Sequence, residues 1–168
     1  MTSVDNAQWI DVYRRLEKPL YNVVYRVIWD AAESQDVVQD TFLRCWRRKD
    51  DIHAEGFKAL LYRTALNLAS NRRRRTRVWR LVGIAALDNV ADEHVAADAL
   101  SKSMRDALDG LPTALRDVLL LTELAGMTYP EIAAALDIAE GTVGSRGTRA
   151  LALLRARLEV QGVVSHEY

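Results

Sequence analysis

The sequence predicts an all-α fold of two small helical domains joined by a flexible linker. Three observations support this. Apolar residues recur every three or four positions along most of the chain, no period-2 run is bounded by hairpin turns, and the periodicity lapses in one acidic stretch past the middle. The 168 residues are 49% hydrophobic with 8 Gly and 3 Pro, enough apolar material for each domain to bury a core. The expected boundaries are 1–80 for the first domain, 81–95 for the linker and 96–168 for the second.

The first helix is expected from about Ala7 to Trp29, on the spacing of Trp9, Tyr13, Leu16, Leu20, Val24 and Ile28, with Pro19 kinking or splitting it. Asp30 and Glu33 form a D-x-x-E capping pattern that starts a second helix ending near Arg48. Its inner stripe is Val38, Phe42, Cys45 and Trp46, which leaves Asp36, Gln39, Asp40, Leu43 and Arg47 outside. Cys45 is the only cysteine and sits on that apolar stripe, so core packing is expected of it. The segment Lys49 to Gly56 lacks a period and reads as a loop, and a third helix begins near Phe57 and runs into the arginines. From Val78 to about Val95 the period is lost and Asp88, Asp92 and Glu93 turn the chain acidic. Beyond it, Leu100, Met104 and Leu108 mark a helix closed by Gly110 and Pro112, and Leu115, Val118, Leu119 and Thr122 mark another closed by Gly126.

Charge is balanced in total but not in place. Residues 1 to 90 hold 16 Lys or Arg against 11 Asp or Glu, whereas residues 91 to 168 hold 7 against 12. Two segments carry arginines and no acid, seven between Arg63 and Arg80 and four between Gly141 and Leu158, giving two separate cationic faces suited to nucleic acid. The N-terminus lacks a basic stretch followed by an apolar run, and no segment approaches the roughly 18 apolar residues of a membrane helix. A cytoplasmic, monomeric protein is expected.

The last two helices form a helix-turn-helix. Thr128-Tyr-Pro-Glu131 is a capping box with proline in the first turn, followed by Ile132, Ala133 and Leu136 as the buried side. After a turn around Asp137-Ile138, the positions Val143, Gly147, Ala150, Leu151, Leu154 and Leu158 face inward and Thr142, Ser145, Arg146 and Arg149 outward. Two short helices crossing tightly are the arrangement that sets a recognition helix into a DNA major groove. An ordinary helical hairpin with solvated arginines would share this local pattern.

The segment Asp36-Val-Val-Gln-Asp-Thr-Phe-Leu-Arg-Cys-Trp46 resembles sigma region 2.2, and Leu61-Tyr-Arg-Thr-Ala-Leu-Asn-Leu-Ala-Ser-Asn71 with its arginine tail resembles regions 2.3 and 2.4. Leu111-Pro112 through Val118-Leu-Leu-Leu121, Tyr129-Pro-Glu-Ile-Ala133 and Gly141-Thr-Val-Gly-Ser-Arg146 resemble region 4 in the same order. Together they are similar to a two-domain sigma factor of the extracytoplasmic-function (ECF) type, in the sigma-70 family. The resemblance implies a non-enzymatic subunit that binds core RNA polymerase and directs it to minus-35 and minus-10 promoter DNA, with no cofactor.

It further implies that Asp36, Gln39, Asp40 and Leu43 dock on the clamp helices of the largest polymerase subunit; a polar face with one exposed leucine suits an interface rim, and a solvated acidic pair is the alternative for Asp36 and Asp40. The third helix would hold the minus-10 non-template strand through Tyr62, Arg63, Asn67, Asn71, Arg72, Arg74 and Arg75, with a base flipped under the Lys49 to Gly56 loop. Aromatic faces, amide edges and backbone-neutralising arginines are the groups that such a strand requires. The recognition helix would read duplex minus-35 DNA through Thr142, Ser145, Arg146, Thr148 and Arg149. Gly144 stands where the family is often basic, Gly147 adds a second flexible residue and Ala139 replaces a common serine cap, all of which weaken the recognition helix. The linker acids either mimic nucleic acid in the polymerase cleft or form a plain acidic connector. An anti-sigma factor is implied as a further partner.

Two rivals remain. A free-standing helix-turn-helix regulator would leave the Asp36 to Leu43 face without a role. A nuclease would need a carboxylate cluster, a Ser-His-Asp set or a phosphate loop, and His53, His94 and His166 are scattered instead.

Overall fold

Helices α1 (Asn6–Ile28), α2 (Ala31–Trp46) and α3 (Ala54–Leu81) form one lobe, with a single 3-10 turn at Lys49–Asp51 between α2 and α3. Helices α4 (Ala99–Asp109), α5 (Thr113–Glu123), α6 (Tyr129–Leu136) and α7 (Glu140–Val160) form the other. The computed structural model describes residues 6–82 and 99–162, and every regular element among them is helical.

Helix α1 runs through Pro19 without splitting, contrary to one expected outcome. A proline inside a helix costs about 3 kcal/mol. Here Leu20, Val23, Val24 and Val27 are fully buried on the following turns, which offsets that cost. The helix ends on Trp29, whose φ of 60° is left-handed, a conformation usually left to glycine.

The Asp30 cap of α2 forms as the sequence predicts, with its Oδ1 accepting from the Glu33 N–H at 2.8 Å. The helix stops at Trp46, two residues before the expected end. Val38, Phe42 and Cys45 face the core, while Trp46 is only half-buried. The stripe is wider than the apolar pattern indicates because Ser34 and Thr41 are also buried. Their hydroxyls donate to the carbonyls four residues back, Asp30 and Val37, which removes the penalty for burying them. Burial pushes the Cys45 thiol up, in keeping with a packed side chain.

Helix α3 begins at Ala54, three residues before Phe57, and continues to Leu81. The start of the stretch from Val78 therefore remains helical, and most of the expected linker, with Asp88, Asp92 and Glu93, lies outside the described residues. In the second lobe both arms of the Thr128–Glu131 capping box close, Asp137 takes the left-handed turn position at φ 56°, and Ala139 gives α7 no side-chain cap. Val143, Ala150 and Leu158 of α7 are buried, but Leu151 is 49% exposed and does not join the expected stripe. At 100° per residue it points roughly 80° away from Val143.

The expected pair of separate cores is instead a shared one. The main buried cluster joins α1, α2 and α3 to Val118, Leu120, Leu121, Met127, Ile132, Ala135 and Val143 of the second lobe. A smaller cluster gathers Leu108, Leu111, Leu115, Leu119 and Ala150. The junction is made by α6 lying along α3.

A Cβ added at Gly147 would meet nothing closer than Val118 Cγ1, at an ordinary 3.8 Å. Gly147→Ala should therefore stabilise the protein by about 0.5–1 kcal/mol in urea unfolding, through the lower entropy cost of an alanine in a helix.

Candidate nucleic-acid and protein interfaces

The outward face of α2 is arranged as the sequence predicts. Asp36 and Gln39 are exposed, Asp40 is half-exposed and pairs with Arg44 at 3.0 Å, and Leu43 is 55% exposed despite being apolar. Leu43 cannot turn inward, because Phe42 and Cys45 already fill the core side. At the end of this helix, Trp46 lies edge-on to Trp9 at 5.0 Å and under the Lys49 ammonium at 4.6 Å, fixing the start of the connection to α3.

The recognition helix presents Ser145, Thr148 and Arg149 to solvent, with Thr142 and Arg146 half-buried. Ser145 and Thr148 spend their hydroxyl protons on the carbonyls of Thr142 and Gly144, at 3.2 and 3.1 Å. Neither Arg146 nor Arg149 has an ion pair among the described residues, so both guanidinium groups are open to an outside anion. Gly144 lies against the Tyr129 ring, where an added Cβ would sit 3.4 Å from Cε2.

The α3 set divides. Asn71, Arg74 and Arg75 are exposed, with Asn71 Oδ1 accepting from Arg74 at 3.1 Å, and Arg72 is bound to Glu33 of α2. Tyr62 is fully buried, its hydroxyl has no hydrogen-bond partner among the described residues, and burial together with the nearby Glu131 carboxylate raises its pKa well above the ordinary tyrosine value. Arg63 donates to the last carbonyls of α6, Ala135 at 2.8 Å and Ala134 at 2.5 Å. Asn67 lines a cavity of about 300 Å³ between the lobes, beside Asp117 and Asp137.

Three residues of the inter-lobe contacts, Lys58, Arg73 and Asp109, were not singled out by the sequence. Lys58 reaches Glu131 at 3.0 Å. Asp109 takes the Trp29 indole N–H at 2.9 Å and an Arg73 guanidinium at 3.3 Å. The pairs are separated by 36 to 80 residues, so no local spacing could have revealed them. Among the described residues no cluster of His, Cys, Asp or Glu is placed to hold a metal ion, and no helix is long and apolar enough to cross a membrane.

Residues 12–78 match the model of sigma-70 region 2, and residues 101–154 that of sigma-70 region 4. The ECF RNA polymerase sigma factor SigL of Mycobacterium tuberculosis is 33% identical over 150 residues, which cover 86% of this chain and 85% of that protein. The chain belongs to the ECF sigma factors of the sigma-70 family. SigE of Mycolicibacterium smegmatis is 29% identical over 88% of this sigma factor, which spans only 60% of that relative's length. Among solved structures, the sigma factor RpoE of Bartonella quintana in complex with the anti-sigma factor NepR superposes with a TM-score of 0.70 at 25% identity, covering 90% of this chain and 96% of that one. The function of this chain is that of an alternative sigma factor, promoter recognition in transcription initiation, in a family of non-catalytic regulators.

The carboxyl of Glu131 is held below the ordinary carboxylate range, first by the Thr128 backbone N–H and also by Lys58, against a desolvation that raises it. A depressed folded-state pKa gives stability that is complete above the unfolded value of about 4.3 and is lost as pH falls through the folded value. The stability gap between wild type and Glu131→Gln in urea unfolding should thus hold near pH 7 and close towards pH 3.

Proposed function

We propose that this sigma factor divides its work among three helix faces. The α2 face of Asp36, Gln39, Asp40 and Leu43 docks on the clamp helices of the largest core polymerase subunit. The α3 face of Tyr62, Arg63, Asn67, Asn71, Arg72, Arg74 and Arg75 holds the minus-10 non-template strand. The outward face of α7, with Thr142, Ser145, Arg146, Thr148 and Arg149, reads duplex minus-35 DNA. The observation that carries the reading is an exposed leucine amid carboxylates on α2, in the same chain as two unpaired arginines on a helix-turn-helix. A free-standing regulator would have use for the second feature alone.

The division into 1–80, 81–95 and 96–168 is part of this proposal, with α3 running one residue past the first boundary, to Leu81. The protein acts without catalysis and without a cofactor, in the cytoplasm, where core polymerase and promoter DNA are found. RpoE of Bartonella quintana was solved with an anti-sigma factor, and this chain is proposed to be held by a protein of the same kind.

The test is transcription in vitro by purified core polymerase on a promoter library read by sequencing. New start sites sharing two upstream elements are expected with the wild-type protein and should vanish with Asp36→Arg plus Asp40→Arg. Arg146→Ala and Arg149→Ala should each weaken use of the upstream element by roughly five- to a hundredfold, as the loss of a base or phosphate contact implies. Duplex binding without new start sites would favour the free-standing regulator.

A further inference from the structure

We propose that the cleft between the last turns of α3 and the start of α5 is a binding site for a small free polyphosphate, a chain of linked phosphate groups rather than a nucleic-acid backbone.

The cleft has a volume of about 340 Å³, within the range of small-ligand sites. Helix α3 contributes Arg73, Arg74 and Arg77 to its lining, and α5 contributes Arg116. The side chains of Arg73 and Arg116 are 15% and 3% exposed and form the floor, while Arg74 and Arg77 are exposed and form the rim. Two carboxylates stand against these four guanidinium groups. Asp109 lies 3.3 Å from Arg73, and Asp117, behind the floor, lies 3.0 Å from Arg116. Two positive charges are therefore left unmatched. Leu111 supplies the one apolar side chain of the lining, so an apolar ligand would gain little there.

The floor shows the strain of this crowding. Arg73 Nη1 is shut off from solvent and makes no hydrogen bond, despite its closeness to Asp109. Burial pulls the pKa of Arg73 below the ordinary arginine value; Asp109 works against this, and the charges of Arg116 and Arg77 add to it. An anion in the cleft would relieve both the repulsion and the missing acceptor. Helix α5 starts in the same cleft at Thr113, with Pro112 before it and no side-chain cap, so its first-turn N–H groups and its positive end add to the attraction.

The donor count selects among anions. After their contacts with Asp109, Asn71 and Asp117, the four guanidinium groups retain more N–H donors than one phosphate has oxygens. Linked phosphates supply the further oxygens and place their charges close together. A nucleic-acid strand carries a single charge on each phosphate and a sugar between successive ones, so it cannot concentrate charge in this way.

The experiment is a calorimetric titration of the full-length protein with sodium tripolyphosphate at fixed ionic strength. One site per chain is expected. Arg77→Ala removes an exposed rim guanidinium that has no ion pair among the described residues, and should weaken binding about tenfold, as the loss of one charge-assisted hydrogen bond implies. Arg155→Ala removes the same charge from an exposed position of α7 outside the cleft and should leave binding unchanged. Thr113→Glu sets a carboxylate among the arginines and should abolish binding; an acid in the first turn stabilises a helix, so the fold is kept. Arg74 is left intact because it also belongs to the proposed strand face. No saturable binding of tripolyphosphate overturns the site. Equal weakening by Arg77→Ala and Arg155→Ala overturns it too, since diffuse charge then accounts for the binding. A thymidine trinucleotide with the same number of phosphates, bound as tightly and lost equally in Thr113→Glu, would assign the cleft to a nucleic-acid backbone and overturn the free polyphosphate.

Discussion

Helix α3 is buried on two sides, and the rest of the structure follows from that constraint. One side, with Phe57, Leu61, Ala65 and Ala69, completes the three-helix core of the first lobe. The other, centred on Tyr62, is covered by α6. A helix with one apolar stripe would sit at the surface with its second face in water. A second buried face obliges the helix-turn-helix to abut the first lobe, and thereby fixes where α7 points. The recognition helix is left with its arginines outward because α6, its neighbour across the Asp137 turn, has its own inner side committed to α3.

Charge assists this arrangement. The first part of the sequence is basic in excess and the last part acidic. The contacts between lobes draw on that difference, with Lys58, Arg63 and Arg73 donating from the first lobe to Glu131, the α6 carbonyls and Asp109 of the second. Both ion pairs are partly exposed, and pairs of that kind contribute little each. The closed state therefore depends on apolar burial for most of its stability and on these pairs for its register.

Much of the fold was legible in the sequence, for identifiable reasons. Helical periodicity, the Asp30 and Thr128 caps and the Gly110, Pro112 and Gly126 stops are local signals, and α2, α4, α5 and α6 fall within two residues of where these place them. The errors occur where tertiary context overrules a local rule. Pro19 does not split α1 because the turns beyond it are buried. Ser34 and Thr41 read as polar yet are buried, since each satisfies its hydroxyl on its own helix. Leu151 reads as part of a stripe and is exposed, because hydrophobicity alone does not fix where a stripe ends.

The candidate sites were legible in a different measure. The outward faces of α2 and α7 follow from period alone, because whatever is not on the buried stripe must point away. The α3 face does not follow from period. Nothing local distinguishes a tyrosine waiting for a nucleotide from one already packed under another helix, and both readings place Tyr62 between Lys58 and Asn67 on an arginine-rich helix. The difference lies in residues 131 to 135, some seventy positions away, and is decided by which surface wins α3. An aromatic and apolar face that its own lobe leaves uncovered draws a second apolar surface onto it, and here that surface is α6.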